Sequence, residues 1–101
     1  MAPLRIDLPQ ARIDDFCCRW KITELAAFGS VLRGDFAEDS DVDLLVTFTP
    51  GAGHSLLDLV QMQEELTEIL ERPVDLIEEQ GLRNPFRRKG ILSTKEVIYA
   101  A

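Results

Sequence analysis

Residues Val42 to Phe48 crowd valine, leucine and phenylalanine into one short stretch that is closed off by Pro50 and Gly51. Side chains of this kind suit a pleated, half-buried surface, and proline and glycine end the pairing, so the stretch predicts a core strand against which the rest must be laid. Before it, Leu25 to Phe28 is a short apolar run that stops at Gly29, which predicts a second buried strand ending in a turn. After it, Gly51 to His54 predicts a loop, and Ser55 with Asp58 three positions on makes a capping-box-like helix start, with aspartate where glutamate is usual. Leu59, Met62, Leu66 and Ile69 mark the buried stripe of a long helix. Arg72 and Pro73 end it, because proline disfavours helical geometry in the residue before it. Val74 to Ile77 then reads as a third strand.

At the N-terminal end, Ile13, Phe16, Cys17 and Trp20 recur at helical spacing, and Asp7 ahead of Leu8 and Pro9 supplies a cap with proline in the first turn. A first helix over residues 8 to 20 follows. The tail from Leu82 to Ala101 is expected to form a helix broken near Gly90 and then a short extended piece at Val97 to Tyr99. No repeat, low-complexity segment or linker divides these elements, so residues 1–101 are expected to form a single α/β (α+β) domain with a small core.

Composition narrows the function. No apolar run is long enough to cross a bilayer, and Met1 to Gln10 lacks a signal-peptide core, so a cytoplasmic location and no membrane partner are expected. Cys17 and Cys18 are adjacent, which makes a disulfide between them sterically awkward; both read as buried thiols in a reducing compartment. With His54 as the single histidine there is no structural zinc set, so any metal must be held by carboxylates. The formal net charge of −7 argues against strong direct binding to nucleic acid, whose phosphates an acidic surface repels. A divalent cation reverses that repulsion locally. Arg83, Arg87, Arg88 and Lys89 stand against the acidic background, either as a solvated helix face, the ordinary case, or as a phosphate or partner site.

The informative stretch is Gly29-Ser30-Val31-Leu32-Arg33-Gly34, followed by Ser40-Asp41-Val42-Asp43-Leu44-Leu45-Val46. Gly29 lets the backbone turn tightly and approach a ligand closely. Ser30 would offer a hydroxyl and an N–H at the start of a short helical turn, a setting that favours an anion. Asp41 and Asp43 lie two apart at the mouth of a strand, where the period of two aims both carboxylates to one side. That pair suffices for one magnesium ion, which takes hard oxygen ligands and usually only one or two carboxylates beside water and phosphate oxygens. Asp75 interrupts an apolar strand, a costly placement unless a partner compensates it. Beside Asp41 and Asp43 it would complete a two-ion site, one ion lowering the pKa of an attacking hydroxyl with Asp75 as base, the other neutralising the triphosphate.

Each piece alone has an ordinary explanation. Gly-Ser is a common turn, Asp-x-Asp is often a polar strand mouth, and a lone Asp75 would usually face solvent. Arg33 either grips phosphate or pairs with Asp35 or Asp41, the positioning role being favoured. Ser40 reads as a turn or capping residue and His54 as a loop or helix-start residue. Trp20 and Phe16 read as core, and Tyr99 as an amphipathic tail residue.

Joined, Gly29-Ser30, Arg33-Gly34, Ser40-Asp41-Val42-Asp43 and Val74-Asp75-Leu76 resemble the MNT-type minimal nucleotidyltransferases of the DNA polymerase beta superfamily, over nearly the whole chain. The resemblance implies a small mixed β-sheet with helices packed on it, magnesium as cofactor, and transfer of a nucleoside monophosphate, typically AMP from ATP, onto a hydroxyl. It would make Asp41, Asp43 and Asp75 metal ligands, Asp75 also the base, and Gly29 and Ser30 the triphosphate grip. Many such short proteins resemble the antitoxin of a toxin–antitoxin pair whose partner is a HEPN-domain ribonuclease, inactivated by AMP attached to a tyrosine. The alternative is a non-catalytic subunit that neutralises its partner by occlusion. Val31 and Leu32 depart from the pattern, since relatives commonly carry small or basic residues there. The larger relatives' acceptor-recognising domain is missing, so the acceptor is expected to arrive on a partner.

Overall fold

The computed structural model describes residues 8–29, 41–81 and 84–101. Its elements follow one another as α1 (Gln10–Arg19), β1 (Ile22–Phe28), β2 (Val42–Phe48), α2 (Leu56–Leu70), β3 (Val74–Glu78), a 3-10 turn over Glu79–Gly81, α3 (Pro85–Thr94) and β4 (Glu96–Ala100). The four strands form one mixed sheet in the order β3-β2-β1-β4. β1 runs antiparallel to both β2 and β4, whereas β2 and β3 are parallel and joined through α2. Parallel neighbours require a crossover of this kind, because a tight hairpin reverses the chain.

Alternation along the strands divides the core in two. Leu25, Ala27, Val42, Leu44, Val46 and Val74 point to one face and meet Ile13, Phe16 and Cys17 of α1 and Met62, Leu66 and Ile69 of α2. Phe28 and Leu45 point to the other face and meet Ile91 of α3, with Ile77 and Leu92 against them. α1 and α2 therefore cover one side of the sheet and α3 part of the other.

Local signals explain most boundaries. Ser55 accepts from the Asp58 amide and the Asp58 carboxylate accepts from the Ser55 amide, so the capping box forms with aspartate in the third position. α2 ends at Glu71 in the left-handed conformation, two residues before Pro73. α1 begins later than expected. Its N-cap is Pro9, with no side-chain cap, and the Pro9 carbonyl accepts from the Arg12 and Ile13 amides; Asp7 lies outside the described residues.

β1 starts three residues earlier than its apolar run, at Ile22, because strand pairing and the Thr23 hydroxyl's bond to the Thr47 carbonyl hold the polar residues Thr23 and Glu24 in the sheet. α3 is not broken at Gly90. Burial of Ile91 against Phe28 and Leu45 outweighs the roughly 1 kcal/mol that glycine costs inside a helix. A Cβ built on Gly90 meets nothing within 4 Å. Gly90→Ala is therefore expected to stabilise the fold by about 0.5–1 kcal/mol, read as a higher midpoint in denaturant titration; an unchanged or lower midpoint would contradict the account.

The two cysteines part company. Cys17 is buried and Cys18 exposed, since neighbours on a helix point about 100° apart and cannot both face the core. Burial pushes the Cys17 thiol up to about 12, with Asp14 and Cys18 adding to the effect. At pH 8 a thiol reagent is expected to label Cys18 in the native protein and Cys17 only after denaturation. Equal labelling rates would refute that difference.

Candidate active site

Three elements of the sheet meet where Asp43 stands. Asp43 is the second residue of β2; its Cα partner on one side is Phe28, the last residue of β1, and on the other Asp75 of β3. The Val42 amide donates to the Pro73 carbonyl at 2.8 Å, which locks the register at this end. Partnered residues of neighbouring strands project to the same face, and strands lie about 4.8 Å apart, so the Asp43 and Asp75 carboxylates leave the sheet side by side. Asp41 is described and exposed, one residue before β2.

Gly29 completes this corner. It follows β1 with φ of +76°, and a Cβ built on it would lie 2.5 Å from Oδ2 of Asp43. Glycine is thus required twice, by the left-handed backbone and by the carboxylate that occupies the space a side chain would take. Ser30, Arg33 and Ser40 lie outside the described residues.

Asp43 and Asp75 share the face on which α3 packs, but α3 is anchored elsewhere on it. Arg88 donates to both the carboxylate and the carbonyl of Glu79, just past the C-terminal end of β3. Lys95 pairs with Glu24 near the start of β1. The Arg88 tie is at the opposite end of the sheet from Gly29, while Lys95, beside the Glu96–Ala27 pair, reaches back along the sheet to Glu24. Asp43 is half-buried and Asp75 exposed.

Among the described residues, no three His, Cys, Asp or Glu side chains are gathered into a closed metal cage. The donor set nonetheless fits magnesium, since two facing carboxylates leave the remaining positions to water and phosphate oxygens, which a cage would not. On a chain of formal charge −7, such a cation is also what would let a triphosphate approach.

Other singled-out residues fall away from this corner. His54 is wedged edge-on against Trp20 and Phe48, with ring centroids 5.6 and 4.7 Å away. Its Nε2 lies 2.6 Å from the Trp20 carbonyl oxygen, so it is a packing residue at the far end of β2, about 17 Å along the strand from Asp43. Phe16 is fully buried; Trp20 is half-buried, its indole N–H donating to Glu65. Tyr99 lies on the α1 side of β4, its hydroxyl 3.9 Å from Cys18 Sγ, and so on the opposite face from Asp43. Of the basic cluster, Arg88 is committed to Glu79 and Lys89 is exposed; Arg83 lies outside the described residues. Sequence reading gave Gln63 no role, yet its side chain reaches the backbone of β3. The only signal was a polar residue adjoining the buried stripe of α2.

Comparison with known proteins bears on the family and the fold. The family described as nucleotidyltransferase domain matches residues 11–98. Protein adenylyltransferase MntA of Thermococcus cleftensis is 39% identical over 83 residues, covering 80% of this chain and 77% of its own. A solved structure provisionally assigned as a minimal nucleotidyltransferase superposes with a TM-score of 0.69 at 37% identity, covering 89% of this chain and 87% of that one. At the level of fold, the chain also matches the structure of a tri-AMPylated Shewanella oneidensis HEPN toxin in complex with MNT antitoxin. That match has a TM-score of 0.66 at 15% identity and covers 91% of this chain and 70% of the other.

Proposed function

The chain belongs to the nucleotidyltransferase domain family, and from that premise we propose that it is a magnesium-dependent protein adenylyltransferase that moves AMP from ATP onto a tyrosine hydroxyl of a HEPN-domain toxin, acting as its antitoxin. The observation that carries this reading is the register of Asp43 with an exposed Asp75 beside Gly29, whose missing side chain leaves room for the Asp43 carboxylate. The adenylyltransferase name of the Thermococcus relative and the AMPylated toxin in the fold neighbour support the choice of AMP and of partner.

Asp41, Asp43 and Asp75 would hold two magnesium ions, which when bound supply Lewis acidity to the attacking hydroxyl and offset the charge of the triphosphate. Gly29, Ser30 and Arg33 would grip the phosphates. In the transfer, the acceptor oxygen bonds to the α-phosphorus as the bond from that phosphorus to the pyrophosphate oxygen breaks. The hydroxyl proton passes to Asp75, and pyrophosphate leaves. Because Asp75 is exposed, a protein acceptor can bring its tyrosine hydroxyl to that carboxylate, in line with the α-phosphate.

Incubating the chain with a HEPN-domain toxin and α-labelled ATP tests this directly. Label is expected on the toxin with magnesium and none with a chelator. Absence of transfer, or transfer indifferent to Asp41→Asn with Asp43→Asn, refutes the reading. Toxin inhibition that survives loss of all three carboxylates would point instead to neutralisation by occlusion.

A further inference from the structure

Among the described residues, β3 is an outer strand of the sheet, paired with β2 alone. Its other edge presents backbone groups that no strand of the described residues meets. One of these, the Leu76 N–H, donates to Oε1 of Gln63 at 3.0 Å. That N–H belongs to the peptide unit linking Asp75 to Leu76, a rigid plane that includes the Asp75 Cα. The helix that carries Gln63 is firmly seated, since Met62 and Leu66 are fully buried and the Thr67 hydroxyl donates to the Gln63 carbonyl at 2.8 Å.

Two like charges facing each other across neighbouring strands repel, and the outer strand is the one free to move away. We propose that Gln63 is a positioning residue for the nucleotidyl-transfer site: its amide oxygen holds the Asp75–Leu76 peptide so that Asp75 stays beside Asp43, within reach of a shared cation. The inference rests on the reading of Asp75 as a metal-holding carboxylate given above.

The fold contains its own control. At the other outer strand, β4, the Gln10 side-chain amide donates to the Ile98 carbonyl at 3.0 Å. Gln10 closes a sheet edge by the same kind of bond, but two strands separate that edge from Asp75.

Magnesium affinity in the presence of a non-hydrolysable ATP analogue, measured by calorimetry on the full chain, separates a positioning role from a merely structural one. Gln63→Met fills the same space without the acceptor and is expected to weaken magnesium binding about ten-fold, as loss of a group that orients a metal ligand commonly does. Gln63→Glu keeps an acceptor oxygen and is expected to restore affinity to within about two-fold of wild type on the same scale. Gln10→Ala should lower the melting temperature while leaving magnesium affinity unchanged.

If Asp75→Asn weakens binding but Gln63→Met does not, or if Gln63→Glu fails to restore it, the positioning role is overturned and the active-site reading stands. If Asp75→Asn itself leaves affinity unchanged, the reading of Asp75 falls and the role of Gln63 with it. Amide exchange in the unmodified protein gives an arm that needs no variant: Leu76 should exchange slowly although its N–H faces outward, and rapid exchange would overturn the proposal.

Discussion

Asp43→Asn is expected to lower the rate of AMP transfer by about 10³-fold, some 4 kcal/mol of transition-state stabilisation, while leaving the fold intact. Asparagine has the shape of aspartate, so the space beside Gly29 stays filled, and the substitution removes one of two like charges that face each other across β2 and β3. The melting temperature should therefore hold within a few degrees as activity disappears, which separates lost chemistry from lost structure. Initial rates of labelled-AMP transfer and a thermal melt on the same preparation measure the two effects. A variant that retains a tenth or more of the wild-type rate would remove Asp43 from the catalytic centre.

Gly29→Ala should fail for a different reason. At φ of +76° any L side chain is strained, and the added methyl would sit 2.5 Å from Oδ2 of Asp43, closer than real Cβ atoms come. Strain of this kind costs about 1–2 kcal/mol, and displacing a catalytic group by 1 Å can cost about 10² in rate. Both losses are expected together. Gly51→Ala isolates the first, because Gly51 has φ of +80° with nothing within 4 Å of the built Cβ. That variant should lose stability and keep transfer activity. If Gly29→Ala instead behaves like Gly51→Ala, the glycine serves only the turn, and its contact with Asp43 has no catalytic meaning.

Much of the scaffold was legible in the chain because its signals are local. The β2 run has the expected bounds, and the Ser55–Asp58 capping box forms as its spacing implies. Readings failed where distant residues decided the outcome. Gly90 looked like a helix break, yet α3 passes through it because Phe28 and Leu45 bury the next residue, Ile91. Cys17 and Cys18 were read alike, but only the packing of α1 on the sheet determines which of two neighbours faces inward. His54 could be placed in a loop before α2, while its lodging against Trp20 and Phe48 depends on how the ends of α1 and β2 converge.

The candidate site divides in the same way. The chain by itself determined that Asp41 and Asp43 stand at a strand mouth, that Asp75 is a charge set in an apolar strand, and that a glycine ends β1, since residue type and a period of two are properties of short segments. Only the tertiary structure decided that Asp75 is the lateral partner of Asp43, that Gly29 leaves room for one carboxylate oxygen, and that a glutamine from α2 grips the outer strand. Strand order and register follow from how α2 carries the chain across to a parallel neighbour and how the buried faces of α1, α2 and α3 settle against the sheet. Those are sums over contacts between residues far apart in sequence, and no short stretch of the chain contains them.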